Sequence, residues 1–264
     1  MKLSVVTPCF NSSKTIRRTI ESVIKQNYPN IEYIIVDGKS NDNTLEIIKN
    51  YSLEYNYIKY ISEKDNSMTE ALNKGIKMAT GEVICSINAD DEFLPNVLEN
   101  IMEKFKNNNI DILVGNTRVV QDETKKLIYT ATPKLMSSYF LMCILDCLTP
   151  ESSVFFRRNC FEKVGLFDEK IKYTQDYEFY LRLIKNGYRF TYYDLDISNF
   201  YLSKHQYSSA AADKMKAEVC SYISYKSMHL FLRKMRLNGL LRTILNLRRY
   251  ESFGSFINHS FKKV

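Results

Sequence analysis

The run Ile84-Cys85-Ser86-Ile87, followed at once by Asn88-Ala89-Asp90-Asp91-Glu92, constrains this chain more than any other stretch. An apolar run this short, closed by acids, fits a strand buried on both faces that releases its carboxylates where it leaves the core. Two earlier runs share that design, Ile31-Glu32-Tyr33-Ile34-Ile35-Val36-Asp37 and residues 57–62 leading into Glu63-Lys64-Asp65, and residues 3–7 form a further apolar run that ends at Pro8 without an acid. Between them lie helical patterns. Ile16, Ile20, Val23 and Ile24 recur at helical spacing; a second helix is expected from Thr44 to about Asn50, with Asp42 as its cap; a third spans residues 68–79 and stops at Thr80-Gly81. Apolar strands alternating with helices predict an α/β fold with a doubly wound, mostly parallel sheet, in which ligands bind outside the carboxyl ends of the strands. Thr7, Asp37, Glu63, Asp65, Asp90 and Asp91 all emerge there. Adjacent carboxylates repel unless a cation or hydrogen-bonded ligand compensates them. Taken alone, the acidic cluster is equally consistent with Asp91 or Glu92 capping a helix that begins near Leu94-Pro95.

With 264 residues, 45% hydrophobic and 25% charged, the chain can bury a sizeable core, as one large domain or two closely packed halves. Six cysteines without a CxxC pair suggest neither a zinc site nor a disulfide framework, and buried thiols in a reducing compartment are expected. No apolar run approaches the roughly 20 residues that span a bilayer, so a cytoplasmic location is expected. The net charge of +7 is uneven: residues 214–264 hold 11 Lys or Arg and 2 acids, a net of +9, leaving −2 for the rest. A nearly neutral body argues against a nucleic-acid binder. No GxGxxG follows the first strand and no GxxxxGK[ST] occurs, so a nucleotide at this edge needs a metal on its phosphates. Asp90 and Asp91 offer the hard oxygens that Mg²⁺ or Mn²⁺ takes.

The ordered motifs resemble the family 2 glycosyltransferases, enzymes of the GT-A fold. They run Val5-Val6-Thr7-Pro8-Cys9-Phe10-Asn11, Ser22-Val23 with Gln26-Asn27-Tyr28, Ile34-Ile35-Val36-Asp37-Gly38-Lys39-Ser40-Asn41-Asp42-Asn43-Thr44, and Glu63-Lys64-Asp65. Leu72-Asn73-Lys74-Gly75-Ile76, Ala79-Thr80-Gly81-Glu82 and Asn88-Ala89-Asp90-Asp91 continue the series, and the likeness covers about residues 2–200. The resemblance implies that Thr7, Pro8 and Asn11 line a nucleotide pocket, that Asp37 hydrogen-bonds the base with Asp65 nearby, that Asp90 contacts the ribose, and that Asp91 binds the metal. Plain turn, cap and strand-end roles stay open for Thr7, Asn11, Asp37 and Asp65. Family members often carry Asp where this chain has Asn88, and relatives with a similar second motif read Gly-Ile-Tyr-Asp-Ala-Met-Asn where it has Ser67-Met68-Thr69-Glu70-Ala71-Leu72-Asn73.

Further strands are expected at residues 110–116 and 127–130, an apolar helix or loop at 136–147, and a strand entered through Thr149-Pro150-Glu151-Ser152-Ser153. By the resemblance this last segment faces the acceptor, with Glu151 and Ser153 as contacts or as parts of a plain turn. Gln175-Asp176 opens a helix where family members place the catalytic carboxylate, usually as Glu-Asp, and capping is the alternative for Asp176. His205 stands where some GT-A enzymes hold a metal or diphosphate contact, or is simply solvated. Beyond Lys226, Leu237, Leu240, Leu241, Ile244 and Leu247 form a stripe flanked by Arg236, Arg242 and Arg249: a packing helix, or one drawn to an anionic membrane surface.

The expected organisation is a nucleotide-sugar-binding half (1–110), a smaller acceptor-binding and catalytic half (111–210), and a basic helical tail (211–264). The expected activity is metal-dependent, inverting transfer of a sugar from a nucleotide-diphosphate sugar, UDP-linked, to a glycan or lipid-linked saccharide acceptor, at the inner face of the cell membrane if the tail binds lipid. The alternatives are a sugar-nucleotide nucleotidyltransferase, which lacks its glycine- and arginine-rich loop here, and a non-catalytic nucleotide-binding protein on the same fold.

Overall fold

The structure, a computed structural model, describes residues 1–133, 150–202 and 212–222. The expected segment at 136–147, His205 and the apolar stripe at 237–247 lie outside the described residues. The chain runs β1 (Leu3–Cys9), α1 (Ile16–Ile24), β2 (Ile31–Asp37), α2 (Thr44–Glu54), β3 (Ile58–Ser62), α3 (Met68–Met78), β4 (Val83–Ser86), β5 (Glu92–Phe93), α4 (Val97–Asn107), β6 (Ile112–Gln121) and β7 (Leu127–Ala131). After a single turn of 3₁₀ helix at Glu151–Ser153 come β8 (Val154–Arg157), α5 (Asn159–Val164), α6 (Gln175–Lys185), β9 (Phe190–Leu202) and α7 (Ala212–Tyr222).

One sheet has the order β3-β2-β1-β4-β8-β6-β9-β5, with β7 paired to β6. The β3-β2-β1-β4 half is parallel, as the buried strands predict. Strand β8 enters antiparallel between β4 and β6, and β9 then runs parallel to β6 for most of its length. The two expected halves therefore share a single sheet. The period of two sorts the core: Val5, Tyr33 and Ile35 meet α1, α2 and α4 on one face, while Val6, Ile34 and Val36 meet α3, α5 and α6 on the other. Aromatic contacts bind α5 and α6 to β8, with Phe156 in edge contact with Phe161 and Phe179, which fixes α6 beneath the carboxyl edge.

Two local expectations change. Helix α4 begins at Val97, preceded by Asn96 in the left-handed region, because Glu92 and Phe93 are drawn into the sheet against β9. Neither Asp91 nor Glu92 caps it. At α2, Asp42 does accept the Thr44 N–H at 3.0 Å, as expected of a cap. The described cysteines whose side chains are placed, Cys9, Cys85 and Cys160, are buried free thiols, and loss of water pushes Cys160 up to about 12.

Candidate active site at the carboxyl edge of the sheet

The loops after β1 and β2 are laced together. Asn11, at φ 49°, donates its backbone N–H to Ser40 Oγ at 2.8 Å and accepts the Asn41 N–H on its Oδ1 at 2.8 Å. Lys39 also sits in the left-handed region, at φ 63°. Backbone held in sparsely populated conformations by cross-bracing is typical of ligand loops. Asn11 is exposed, and its side chain shapes the loop. Thr7 and Pro8 are buried at the end of β1, and Thr7 Oγ1 shares a hydrogen bond with Tyr33 at 2.9 Å.

Asp37 is fully enclosed. It has 0% exposure and accepts the Ser40 hydroxyl at 2.5 Å, the Ser62 hydroxyl at 2.6 Å and the Ser40 N–H. A carboxylate so placed anchors the Gly38-Lys39-Ser40 turn. Asp65, partly exposed, lies directly over Gly38: a Cβ there would stand 2.7 Å from Asp65 Oδ2. The glycine lets this carboxylate lean over the turn, and burial, with the Lys74 ammonium opposing it, holds its pKa above the ordinary aspartate value. In the loop after β1, Phe10 is 57% exposed, an aromatic ring in an otherwise polar turn. Sequence reasoning passed over Phe10, although its type in that position was the available signal.

Asp91 is equally enclosed. It too has 0% exposure; Oδ1 accepts the Tyr201 N–H of β9 at 3.2 Å and Oδ2 accepts from Asn88 at 3.3 Å. Loss of water, reinforced by Asp90, pushes its pKa well above the usual carboxylate range. It ties the acidic turn to β9. Asp90, partly exposed, is the acid that the turn leaves at the edge. Its carbonyl accepts from Arg18 at 2.5 Å, and the Arg18 guanidinium stacks on the Tyr201 ring at 3.7 Å while pairing with Asp122 at 2.8 Å. Helix α1 and β9 thereby clamp the turn from both sides.

Among the described residues no group of three or more His, Cys, Asp or Glu side chains could hold a metal alone. The donors present fit a hard divalent cation as a shared set, since Mg²⁺ and Mn²⁺ are commonly bound through one or two carboxylates plus substrate phosphates.

From the second half, Asp176 stands in the first turn of α6, half-buried, with its Oδ1 accepting the Tyr177 N–H at 2.8 Å. Burial raises its pKa to about 6 against that bond, and Glu218 adds repulsion. Glu151 is 8% exposed, accepts the Ser86 hydroxyl, and is pushed up to about 8, chiefly by burial and further by Asp176. Ser153 closes the 3₁₀ turn: with 0% exposure it is wrapped by Thr117, Ser198 and the Asn116 carbonyl.

Because folding raises the Glu151 pKa above its unfolded value of about 4.5, its contribution is most favourable below that pH and declines as pH rises toward 8. Glu151→Gln, which keeps an acceptor for Ser86, should therefore raise Tm relative to wild type at pH 8 and lose that advantage near pH 4.5. Thermal melts across this range check it; parallel curves would contradict it.

A sequence model described as glycosyl transferase family 2 matches residues 4–165. An uncharacterized glycosyltransferase of Rickettsia typhi is 30% identical over 191 residues, covering 69% of this chain and 58% of its own length. One of Nostoc is 31% identical over 180 residues, covering 64% and 54%. This chain thus spans less than two thirds of these relatives. Among solved structures, S. aureus TarS 1-349 in complex with UDP-GlcNAc matches with a TM-score of 0.67 at 22% identity, over 80% of this chain and 61% of that one. A mannosyltransferase of Pyrobaculum calidifontis in complex with GDP-Man and Mn²⁺ matches with a TM-score of 0.61 at 17% identity, over 81% and 60%. These likenesses establish the GT-A fold.

Proposed function

We propose, from the premise that the chain belongs to glycosyl transferase family 2, that it moves a sugar from a UDP-linked donor to a hydroxyl of a glycan or lipid-linked saccharide, with inversion at the anomeric carbon. The observation that carries this reading is the pairing of two partly exposed acids at the parallel edge, Asp65 and Asp90, with a third, Asp176, delivered by the other half at a helix N-terminus. The TarS complex with UDP-GlcNAc supports the choice of donor.

In this reading Phe10 stacks on the base and Asp65 accepts its imide N–H. Asp90 would take the metal role expected of Asp91 and hold Mg²⁺ or Mn²⁺, which when bound would neutralise charge building on the leaving group. Asp37, Ser40 and Asn11 keep the base loop in shape. Asp176 accepts the proton of the acceptor hydroxyl as its oxygen bonds to the anomeric carbon and the bond from that carbon to the diphosphate breaks. An acceptor carried on lipid would suit the basic stretch 214–264, net +9.

Base stacking on an aromatic ring contributes on the order of 1–3 kcal/mol. Phe10→Ala should therefore weaken UDP binding by roughly 10-fold or more while Tm stays near wild type, because the ring is exposed. Isothermal titration with UDP in Mn²⁺ makes the comparison. Equal affinities would remove the base from this loop, and no UDP binding by the wild type would remove the donor assignment.

A further inference from the structure

The segment before Asp176 is held by residues that a catalytic reading does not use. Glu218, on α7, accepts the backbone N–H of Lys172 at 2.7 Å on one oxygen. On the other it accepts the N–H of Tyr173 and of Thr174, each at 2.9 Å, and the Thr174 hydroxyl at 2.8 Å. Three successive backbone donors on one carboxylate make a strong, charge-assisted clasp, placed at the positive end of the α6 dipole. Thr174, the residue that precedes α6, makes no side-chain cap of its own, so the capping anion comes from 44 residues further along the chain.

The same segment is fastened at its other end by the donor half. Asn73, on α3, donates to the Phe167 carbonyl at 2.9 Å and accepts the Phe167 N–H at 3.1 Å, while Thr69 donates to the Ile171 carbonyl at 3.1 Å. Residues 167–174 thus form a strap stretched from α3 to α7, and Asp176 follows two residues beyond it. Helix α7 is itself seated by Val219 on the core that carries α6 and by Lys214 over the Tyr173 ring at 6.0 Å.

We propose that Glu218 is a positioning residue for the base: it fastens residues 172–174 from α7 and so fixes where the first turn of α6 presents Asp176. This rests on the reading of Asp176 as the base. The groups that face Asp176 electrostatically are Glu151 from the 3₁₀ turn, Tyr180 from the next turn of α6, and Glu218 from α7. Glu218 acts on Asp176 in two ways, by holding the backbone and by opposing its ionisation, and different substitutions separate them.

The test uses the full chain, with UDP release from a turned-over donor followed against pH in Glu218→Ala, Glu218→Gln and Asp176→Asn. Displacing a reacting group by about 1 Å can cost on the order of 100-fold. Glu218→Ala should accordingly lower kcat about 10-fold or more with donor KM within about twofold. Glu218→Gln, which keeps one acceptor but no charge, should move the acid limb of the kcat profile to lower pH. The ¹³C-carboxyl resonance of Asp176, assigned by its loss in Asp176→Asn, should titrate at correspondingly lower pH in the same variant. A Glu218→Ala variant that keeps wild-type kcat on the pH plateau, or a Glu218→Gln variant that leaves both the acid limb and the Asp176 resonance unmoved, would overturn the proposal; if the alanine variant failed to fold, the glutamine variant would decide it. Full turnover by Asp176→Asn would instead overturn the base reading, and the proposal with it, whatever the Glu218 variants did.

Discussion

Asp176→Asn should lower kcat by roughly 100- to 10,000-fold, the range that a positioned general base supplies. Affinity for UDP should stay near wild type, because Asp176 belongs to the other half of the sheet from the donor loops and contributes as the acceptor proton leaves. Stability should not suffer, since a neutral amide can still accept the Tyr177 N–H. The pH dependence has a definite sign. The base works when ionised, and burial holds its pKa near 6, so kcat should rise as pH passes upward through about 6 and fall away below it. Unchanged turnover, or a loss that tracks unfolding, would return Asp176 to the role of a helix-terminus acid.

The second large effect separates two adjacent residues that look alike in sequence. Asp90→Asn should lower metal-supported turnover on the order of 100-fold or more and abolish the Mn²⁺ dependence of UDP binding, because the carboxylate proposed to hold the cation is lost. Asp91→Asn should keep that dependence. Its carboxylate is sealed behind Tyr201 and Asn88, and an asparagine Oδ1 can still accept the Tyr201 N–H. Titrations of UDP with and without Mn²⁺ on both variants decide the matter, and the reverse pattern would put the metal on Asp91.

What the sequence made legible follows from which interactions are local. The parallel half could be read because Val5, Ile34 and Ile84 sit in runs too apolar to be half-exposed, and the acids after them mark the edge where strands leave the core. Asp65, Asp90 and Asp176 were each assigned to an edge or helix terminus, and the structure keeps them partly exposed there. Asp37 and Asp91 have the same flanking pattern but turn inward, because each adds to a local donor, Ser40 or Asn88, one from far along the chain: Ser62 from 25 residues away and the Tyr201 backbone from 110. Nothing at positions 37 or 91 distinguishes an acid that will meet such donors from one that will not. The burial of Ser153 is set in the same way, its partners Thr117 and Ser198 lying 36 and 45 residues away. The insertion of β8 between β4 and β6 is likewise set by long-range pairing, which the period of a strand does not encode.

The measurement that tests the central claim most directly is a panel of nucleotide sugars incubated with the purified full chain in the presence and absence of Mn²⁺ or Mg²⁺, with nucleotide release quantified and the anomeric configuration of the transferred or hydrolysed sugar read by ¹H NMR. The account predicts release of UDP from at least one donor, dependent on the divalent cation and lost in Asp90→Asn, with the product in the opposite anomeric configuration to the donor. No release from any donor, or a product that retains the donor's configuration, would contradict it.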